Sequence, residues 1–330
     1  MSRYDRQMRI KGWNQEKIED ATALVAGVGA LGSFIAANLA LSGVGRLLLC
    51  DMDTVEYSNL NRQFLFRKKD VRKYKSEIAA QRLREINPDI EIISLPMKLE
   101  EVKRKYYKDS DIIVAGLDSF DARRWLNSMA VATKKPLISG GMFGFMGHVQ
   151  RIIPYKTPCF ECQPLIPQDK LSQACSPVGE KRKHLPKKEE APMPAVATLS
   201  MIIGGIISQE ALKTIMNIGI PLDNYFFYDG LSGTTTTIHL ERNVKCPVCG
   251  EQYELEESKF AIEDGETIEE LSTRIAYAFG LADPKLMLKG IILEKKMVIN
   301  KKNLKSGVKL FVMDERLAKP LKLLIRKQKV

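Results

Sequence analysis

Residues 21–53, "ATALVAGVGALGSFIAANLALSGVGRLLLCDMD", constrain the fold more than any other stretch of the chain. "ALVAGV" reads as a short buried strand, and Gly27, Gly29 and Gly32 follow directly. Alanine and leucine then recur at helical spacing up to Ser42-Gly43, and "RLLLCD" is a second buried strand that ends in an acid, Asp51. Glycines in that context allow a tight turn, close approach to a phosphate and a helix N-terminus facing an anion.

The alternation continues. A helix "SEIAAQRLREIN" (76–87) stops at Pro88, and strands "IEIISLP" and "DIIVAGLD" follow. Next come a helix "ARRWLNSMAVATKK", a strand "PLISGGM" and a hairpin-like "FMGHVQRIIP" of period two. Strands alternating with helices predict a Rossmann-like, doubly wound, mostly parallel α/β sheet. Residues 157–194 break the pattern with prolines and the charged run "EKRKHLPKKEEAP", and read as an exposed crossover loop. An apolar helix, "AVATLSMIIGGIISQEALKTIMN", and a strand pair over 224–242 lead to "CPVCG". Beyond it a strand, a helix over Thr267–Phe279 and several short strands predict a small α+β domain of β-grasp type. The expected division is residues 1–253 and 254–330.

The formal net charge of +11 is concentrated at the end of the chain, where residues 285–330 carry 14 Lys/Arg against 3 Asp/Glu. Such a face attracts nucleic acid or an acidic protein, or is a solvated lysine-rich surface. No aromatic platform or nucleic-acid motif accompanies it, so no nucleic-acid partner is expected. The polar N-terminus is unlike a secretory signal, and the apolar run 195–208 is shorter than the ~20 residues of a membrane span. A cytoplasmic protein without a membrane partner is the expectation.

The residues after the second strand decide between nucleotide chemistries. Asp51 stands where a carboxylate holds ribose hydroxyls, which alone favours a dinucleotide. "DMDTVEYSNLNRQ" (51–63) then adds a second acid, Asp53, with Asn59 and Arg62, and a dehydrogenase has no use for the last two. A nucleoside triphosphate does, because Arg62 and Lys75 neutralise charge developing on its phosphates. Asp118 closes a strand at the carboxyl edge of the sheet, where it suits Mg²⁺. The three histidines are scattered and form no hydride site.

Four of the six cysteines form two Cys-x-x-Cys pairs, Cys159/Cys162 and Cys246/Cys249. Either pair alone fits redox chemistry, whereas the four together match a closed structural zinc site. Cys175, in "SQACSPVG", has neither partner nor core. It is a free surface thiol or a nucleophile, and Lys181, Arg182 and Lys183 nearby in sequence would favour its thiolate.

With these residues assembled, the chain resembles the ubiquitin-activating-enzyme-like adenylyltransferase superfamily, which includes the adenylyltransferases of thiamine and molybdopterin biosynthesis. The matching stretches are "RYDRQMRIKGW", "GVGALGS", "DMDTVEYSNLNRQF", "KSEIAAQRLREINP", "GLDSFDARRWLN", "PLISGG", "TPCFECQP" and "CPVCG", in family order. The resemblance implies MgATP-dependent adenylation of the C-terminal glycine of a ubiquitin-like protein ending in Gly-Gly. It makes Asp51 the ribose anchor with Gly29 beneath the nucleotide. Asn59, Arg62 and Lys75 become phosphate contacts, and Asp118 the metal-binding and catalytic acid. Arg6, or secondarily Arg3, becomes the arginine given across a homodimer to the partner's nucleotide. The family usually has asparagine after that last aspartate, where this chain has Ser119.

The resemblance also implies the zinc site and casts Cys175 as the thiol that attacks the acyl-adenylate. Two fates for the product compete: relay as a thioester to a conjugating enzyme, or sulfur transfer on a carrier protein. A sulfurtransferase tail needs its own cysteine, and none follows Cys249. The basic C-terminal segment instead resembles a ubiquitin-fold domain that recruits a conjugating enzyme. A non-catalytic scaffold for a ubiquitin-like protein is the alternative of another class, and the retained arginine, lysine and aspartate oppose it.

Overall fold

In a computed structural model, the residues described are 2–162, 194–246, 248–250, 260–279, 281, 283–300, 304, 307–314 and 320–327. Short helices α1 (Asp5–Met8) and α2 (Gln15–Glu19) precede β1 (Thr22–Ala26), α3 (Ala30–Ser42) and β2 (Arg46–Cys50). The glycine turn thus joins a strand to a helix as predicted. Helix α3 ends because Gly43 takes the left-handed φ of +84° and its N–H returns to Ala40 and Leu39 carbonyls. Helix α4 (Lys75–Ile86), β3 (Glu91–Leu95), α5 (Arg104–Asp109) and β4 (Ile112–Ala115) come next. Helix α6 (Phe120–Thr133) leads to β5 (Leu137–Phe143) and β6 (Met146–Ile152), and α7 (Ala197–Met216) to β7 (Tyr225–Asp229) and β8 (Thr234–Ile238).

These strands form one eight-stranded sheet in the order β3-β2-β1-β4-β5-β6-β7-β8. The first five are parallel and the last three are added antiparallel. Alternate residues Ala23, Val25, Leu47, Leu49, Ile112 and Val114 join α3, α4 and α7 in a single core. Their neighbours Leu24, Leu48 and Ile113 are equally buried, so both faces of the central strands are covered. The covering thins outward until every residue of β8 is exposed.

Helix α7 corrects one premise drawn from the sequence. It is 20 residues long and apolar enough, by length and composition, to cross a membrane. Half of it is buried within the protein. A Cβ on Gly204 would lie 3.1 Å from Phe34 Cβ of α3, and one on Gly147 of β6 would lie 2.4 Å from Ile203. The small residues on both sides let this helix pack directly on α3 and on the sheet.

The chain divides into two compact units, Met1–Arg123 with Lys135–Ile153 and Leu165–Leu240, and Arg124–Lys134 with Pro154–Pro164 and Glu241–Val330. The expected boundary at 253/254 falls among residues 251–259, outside the described residues. Within the second unit lie β9 (Phe260–Ile262), α8 (Ile268–Phe279), β10 (Lys285–Leu288), β11 (Ile291–Ile292), β12 (Lys309–Met313) and β13 (Leu321–Lys327). They form a second, smaller sheet in the order β11-β10-β12-β13-β9, with β13 and β9 parallel. Helix α8 opens with a capping box. Thr267 Oγ1 accepts from Glu270 N–H at 3.2 Å, and the Glu270 carboxylate accepts from Thr267 N–H at 2.7 Å. Ile268, Leu271 and Ile275 of this helix pack on Leu286, Leu310, Val312 and Leu323 of the sheet.

Candidate nucleotide site and cysteine cluster

The glycine turn and the end of β4 interlock. Gly27 has φ of +80°, and its N–H donates to Cys50 O at 2.8 Å. A Cβ on Gly32 would sit 1.8 Å from Gly27 O, and one on Gly116 would sit 2.6 Å from Leu31 Cβ. Neither position has room for any side chain. Gly29 differs, because its φ is −76° and a Cβ there would meet only Gln63 Nε2, at 3.6 Å. No protein atom but that amide nitrogen borders the space a side chain would take, so the glycine leaves room above the helix. Among the described residues no side chain caps α3, and its first N–H groups are available to an anion.

Asp51 ties this turn to the next strand. Its Oδ2 accepts from Val28 N–H at 2.7 Å and its Oδ1 from Asp53 N–H at 2.9 Å. Burial pushes the Asp51 carboxyl up from the usual range, while Lys75 and the two backbone donors pull it back. Lys75 opens α4, is mostly buried, and places Nζ 2.9 Å from Asp53 Oδ2. Its own N–H donates to Asp53 O at 2.9 Å, and Ser76 Oγ donates to Asp51 O at 3.1 Å. The start of α4 is therefore bolted to the end of β2.

The turn between them carries the other phosphate candidates. Asn59 is buried; its Oδ1 accepts from Glu56 N–H at 3.0 Å, which commits the oxygen to a helical turn, and its Nδ2 donates a long bond to Ser58 Oγ at 3.5 Å. Arg62 is half-buried and donates to Ser58 O at 2.8 Å and Asn61 Oδ1 at 3.0 Å. Gln63, not singled out from the sequence, is buried against the glycine turn. Its Oε1 has no hydrogen-bond partner among the described residues. Only its place beside Arg62 in "NLNRQ" hinted at a role.

Asp118 is exposed just beyond β4. Ser119, in the place of the family's asparagine, caps α6: its Oγ accepts from Ala122 N–H at 3.4 Å. Arg123, one turn into the helix and buried, donates to Leu117 O and, at 3.3 Å, to Ser139 Oγ. The peptide carrying Asp118 is thus held from both sides. His148 stacks on Tyr225 with centroids 5.3 Å apart. Burial and then the Arg123 charge push His148 down to about 3, so it is neutral and structural.

The N-terminal arginines separate. Arg3 donates to Ile86 O at 2.8 Å and pairs with Asp89 at 3.5 Å, so its charge is satisfied within its own chain. Arg6 is exposed and makes no side-chain hydrogen bond or ion pair among the described residues. It lies beside the C-terminus of α3, where Gln7 Nε2 donates to Ser42 O at 2.8 Å. The glycine turn is at the other end of that 13-residue helix, about 20 Å away at 1.5 Å per residue. The structure does not bring Arg6 to its own chain's glycine turn.

The four paired cysteines do meet. Their Sγ atoms lie within 4.8 Å of one another, with Cys159 3.5 Å from Cys246 and Cys162 3.3 Å from Cys249. A tetrahedral Zn²⁺ with 2.3 Å bonds needs sulfurs ~3.8 Å apart, so the set fits the metal. Hydrogen bonds to the other three cysteines, and then burial, push the Cys159 thiol up, whereas hydrogen bonding within the cluster holds Cys162 down; a cation is what would let all four ionise. Phe160 N–H donates to Asn127 Oδ1 at 3.0 Å and Glu161 pairs with Arg124, which fastens the first knuckle to α6. Arg242 holds the second through Cys249 O at 3.0 Å. Cys175, with Lys181, Arg182 and Lys183, lies outside the described residues.

Comparison with known proteins places the chain among relatives of this fold. A sequence model of the ThiF family matches residues 4–248. The sulfur carrier protein adenylyltransferase of Thermus thermophilus is 31% identical over 268 residues, covering 76% of this chain and 92% of that protein. The NEDD8-activating enzyme E1 catalytic subunit of Arabidopsis thaliana is 32% identical over 294 residues, covering 69% and 65% respectively. Among solved structures, Escherichia coli MccB matches with a TM-score of 0.63 and 24% identity over 76% of this chain and 74% of that one, a likeness of fold.

Proposed function

The chain belongs to the ThiF family of adenylyltransferases, and from that premise we propose that it uses MgATP to adenylate the C-terminal Gly-Gly of a ubiquitin-like protein. One observation carries the reading. The ends of β1, β2 and β4 converge on an uncapped helix N-terminus, with Asp51 bound to Val28 and Lys75 beside Asp53. Such a site favours a polyphosphate over a neutral ligand.

In the proposed step the terminal carboxylate attacks the α-phosphorus of ATP. The bond to the β-phosphate breaks, pyrophosphate leaves, and an acyl-adenylate forms. Asp51 holds the ribose, Gly29 gives room to the phosphates, and Lys75, Arg62 and the Asn59 amide offset their charge. Asp118 would hold Mg²⁺, which supplies further neutralisation of the phosphates. The four cysteines would hold Zn²⁺ as a structural staple with no open position. Arg6 serves the nucleotide of a second copy, because its own glycine turn is a helix length away; the working unit is a homodimer.

The Cys175 thiolate then attacks the acyl carbon and AMP leaves, giving a thioester for a conjugating enzyme recruited by the basic C-terminal sheet. The 92% coverage of a sulfur carrier protein adenylyltransferase supports a second reading, delivery of sulfur to a carrier protein. No nucleic acid or membrane partner enters either route, and both suit a cytoplasmic enzyme. The test is ATP–pyrophosphate exchange dependent on a ubiquitin-like protein ending in Gly-Gly. Asp118→Ala should abolish it, and normal exchange in that variant would overturn the assignment. Cys175→Ala should keep exchange and lose the thiol-reducible adduct; a persistent adduct would remove Cys175 from the route.

A further inference from the structure

The stretch "INP" has no task in the chemistry above, yet the structure joins it to "RYDRQ", the stretch that carries Arg6. Asn87 is fully buried at the end of α4. Its Nδ2 donates to Tyr4 Oη at 2.9 Å and to Ala40 O at 2.7 Å. Its Oδ1 accepts from Asp89 N–H at 3.2 Å. Tyr4 is itself buried, and its ring lies where Gly43 has no side chain; a Cβ there would be 2.4 Å from the ring. Gln7 adds a second tie, to Ser42 O at 2.8 Å. Arg6 stands between these two anchors and is left exposed.

A buried amide that satisfies a tyrosine hydroxyl and a helix-terminal carbonyl together is costly to disturb. It fixes the arm to the C-terminal ends of α3 and α4 and so fixes where Arg6 can reach. We propose that Asn87, through Tyr4, is a positioning residue for the nucleotide site of a second copy of this chain. The inference rests on the reading of Arg6 as an arginine given in trans. It adds that the arm is a preset device held by its own chain rather than a tail ordered by the neighbour.

The experiment uses mixed dimers of the full chain carrying two different affinity tags, with MgATP alone as titrant in calorimetry. One chain carries Lys75→Ala, which disables its own pocket, and the other Arg6→Ala, which disables the arm it offers. The only intact pocket then depends on the arm of the Lys75→Ala chain. Tyr4→Phe, which keeps the ring and removes the hydroxyl, should weaken MgATP about fivefold when placed on that chain, the net worth of one hydrogen bond. On the Arg6→Ala chain it should change nothing. Asn87→Asp, which keeps size and loses both amide donors, should show the same asymmetry. Equal effects in both placements, or none in either, overturn the positioning role while leaving the trans reading intact. If Arg6→Ala homodimers bind MgATP like the parent, or mixing restores no pocket, the trans reading fails and the inference with it.

Discussion

The carboxylate of Asp51 accepts the Val28 N–H at 2.7 Å, so the acid that follows β2 also holds the glycine turn that follows β1. On the proposed reading one side chain would serve turn and ligand together. Asp51→Ala should lose MgATP affinity and also strand a buried backbone donor, at a cost of about 1–3 kcal/mol. Calorimetry with MgATP and a thermal melt would both register the change; a variant of unaltered melting temperature would break the link to the turn.

Lys75 and Asp53 should be unequal when changed. Lys75 is the buried partner, at 10% side-chain exposure, and Asp53 is at 52%. Lys75→Met keeps the packing and removes the cation, and is expected to reduce exchange by orders of magnitude. Asp53→Asn should cost only severalfold, since water already screens that carboxylate. The reverse ranking in exchange rates would show that Asp53, not Lys75, meets the nucleotide.

Gly29 and Gly32 make opposite predictions from one methyl group. Gly32→Ala drives a Cβ to 1.8 Å from Gly27 O and should prevent the turn from forming, read as loss of soluble protein or a large fall in melting temperature. Gly29→Ala meets only Gln63 Nε2 at 3.6 Å and should melt much closer to the parent than Gly32→Ala while losing MgATP binding.

The cysteine cluster should hold one zinc per chain by atomic absorption. Cys246→Ser should abolish that zinc and lower the melting temperature, because the site joins knuckles from distant parts of the sequence. Retention of zinc, or four cysteines recovered as two disulfides from reducing buffer, would contradict a metal staple.

His148 sets a pH dependence. Its folded value, pushed down to about 3, lies below the unfolded value of 6.5. Between those limits the unfolded chain takes up a proton that the folded chain refuses, so stability present above pH 6.5 is lost as pH falls toward 3. His148→Gln should flatten that part of the profile in denaturant titrations; an unchanged slope would assign it to other groups.

What the sequence makes legible is what is decided locally. Glycine spacing, strand runs and Cys-x-x-Cys pairs are each set within a few residues, so the Rossmann-like sheet and the two knuckles can be read from the residues alone. Their convergence cannot. The partner of Asp51 is a backbone N–H with no residue signature, and Gln63 matters only because it packs against the glycine turn. Arg3 and Arg6 read alike from three positions apart, until the distant Ile86 carbonyl and Asp89 claim the first and leave the second. Helix α7 spans Ala197–Met216, close to the 195–217 read from the sequence, and only the surroundings of its polar residues are hidden there. It continues through polar residues such as Gln209 and Glu210, and Glu210 is buried and paired with Lys213.

The placement of Arg6 at the far end of α3 has a consequence for concentration. On the trans reading proposed for Arg6, an arm that does not reach its own glycine turn would make every competent site the joint property of two chains. Below the dissociation constant of the pair, the rate per chain would fall in proportion to chain concentration, as in a second-order process. Abundance would then act as a control on the enzyme, which would fall silent on dilution although every copy remained folded.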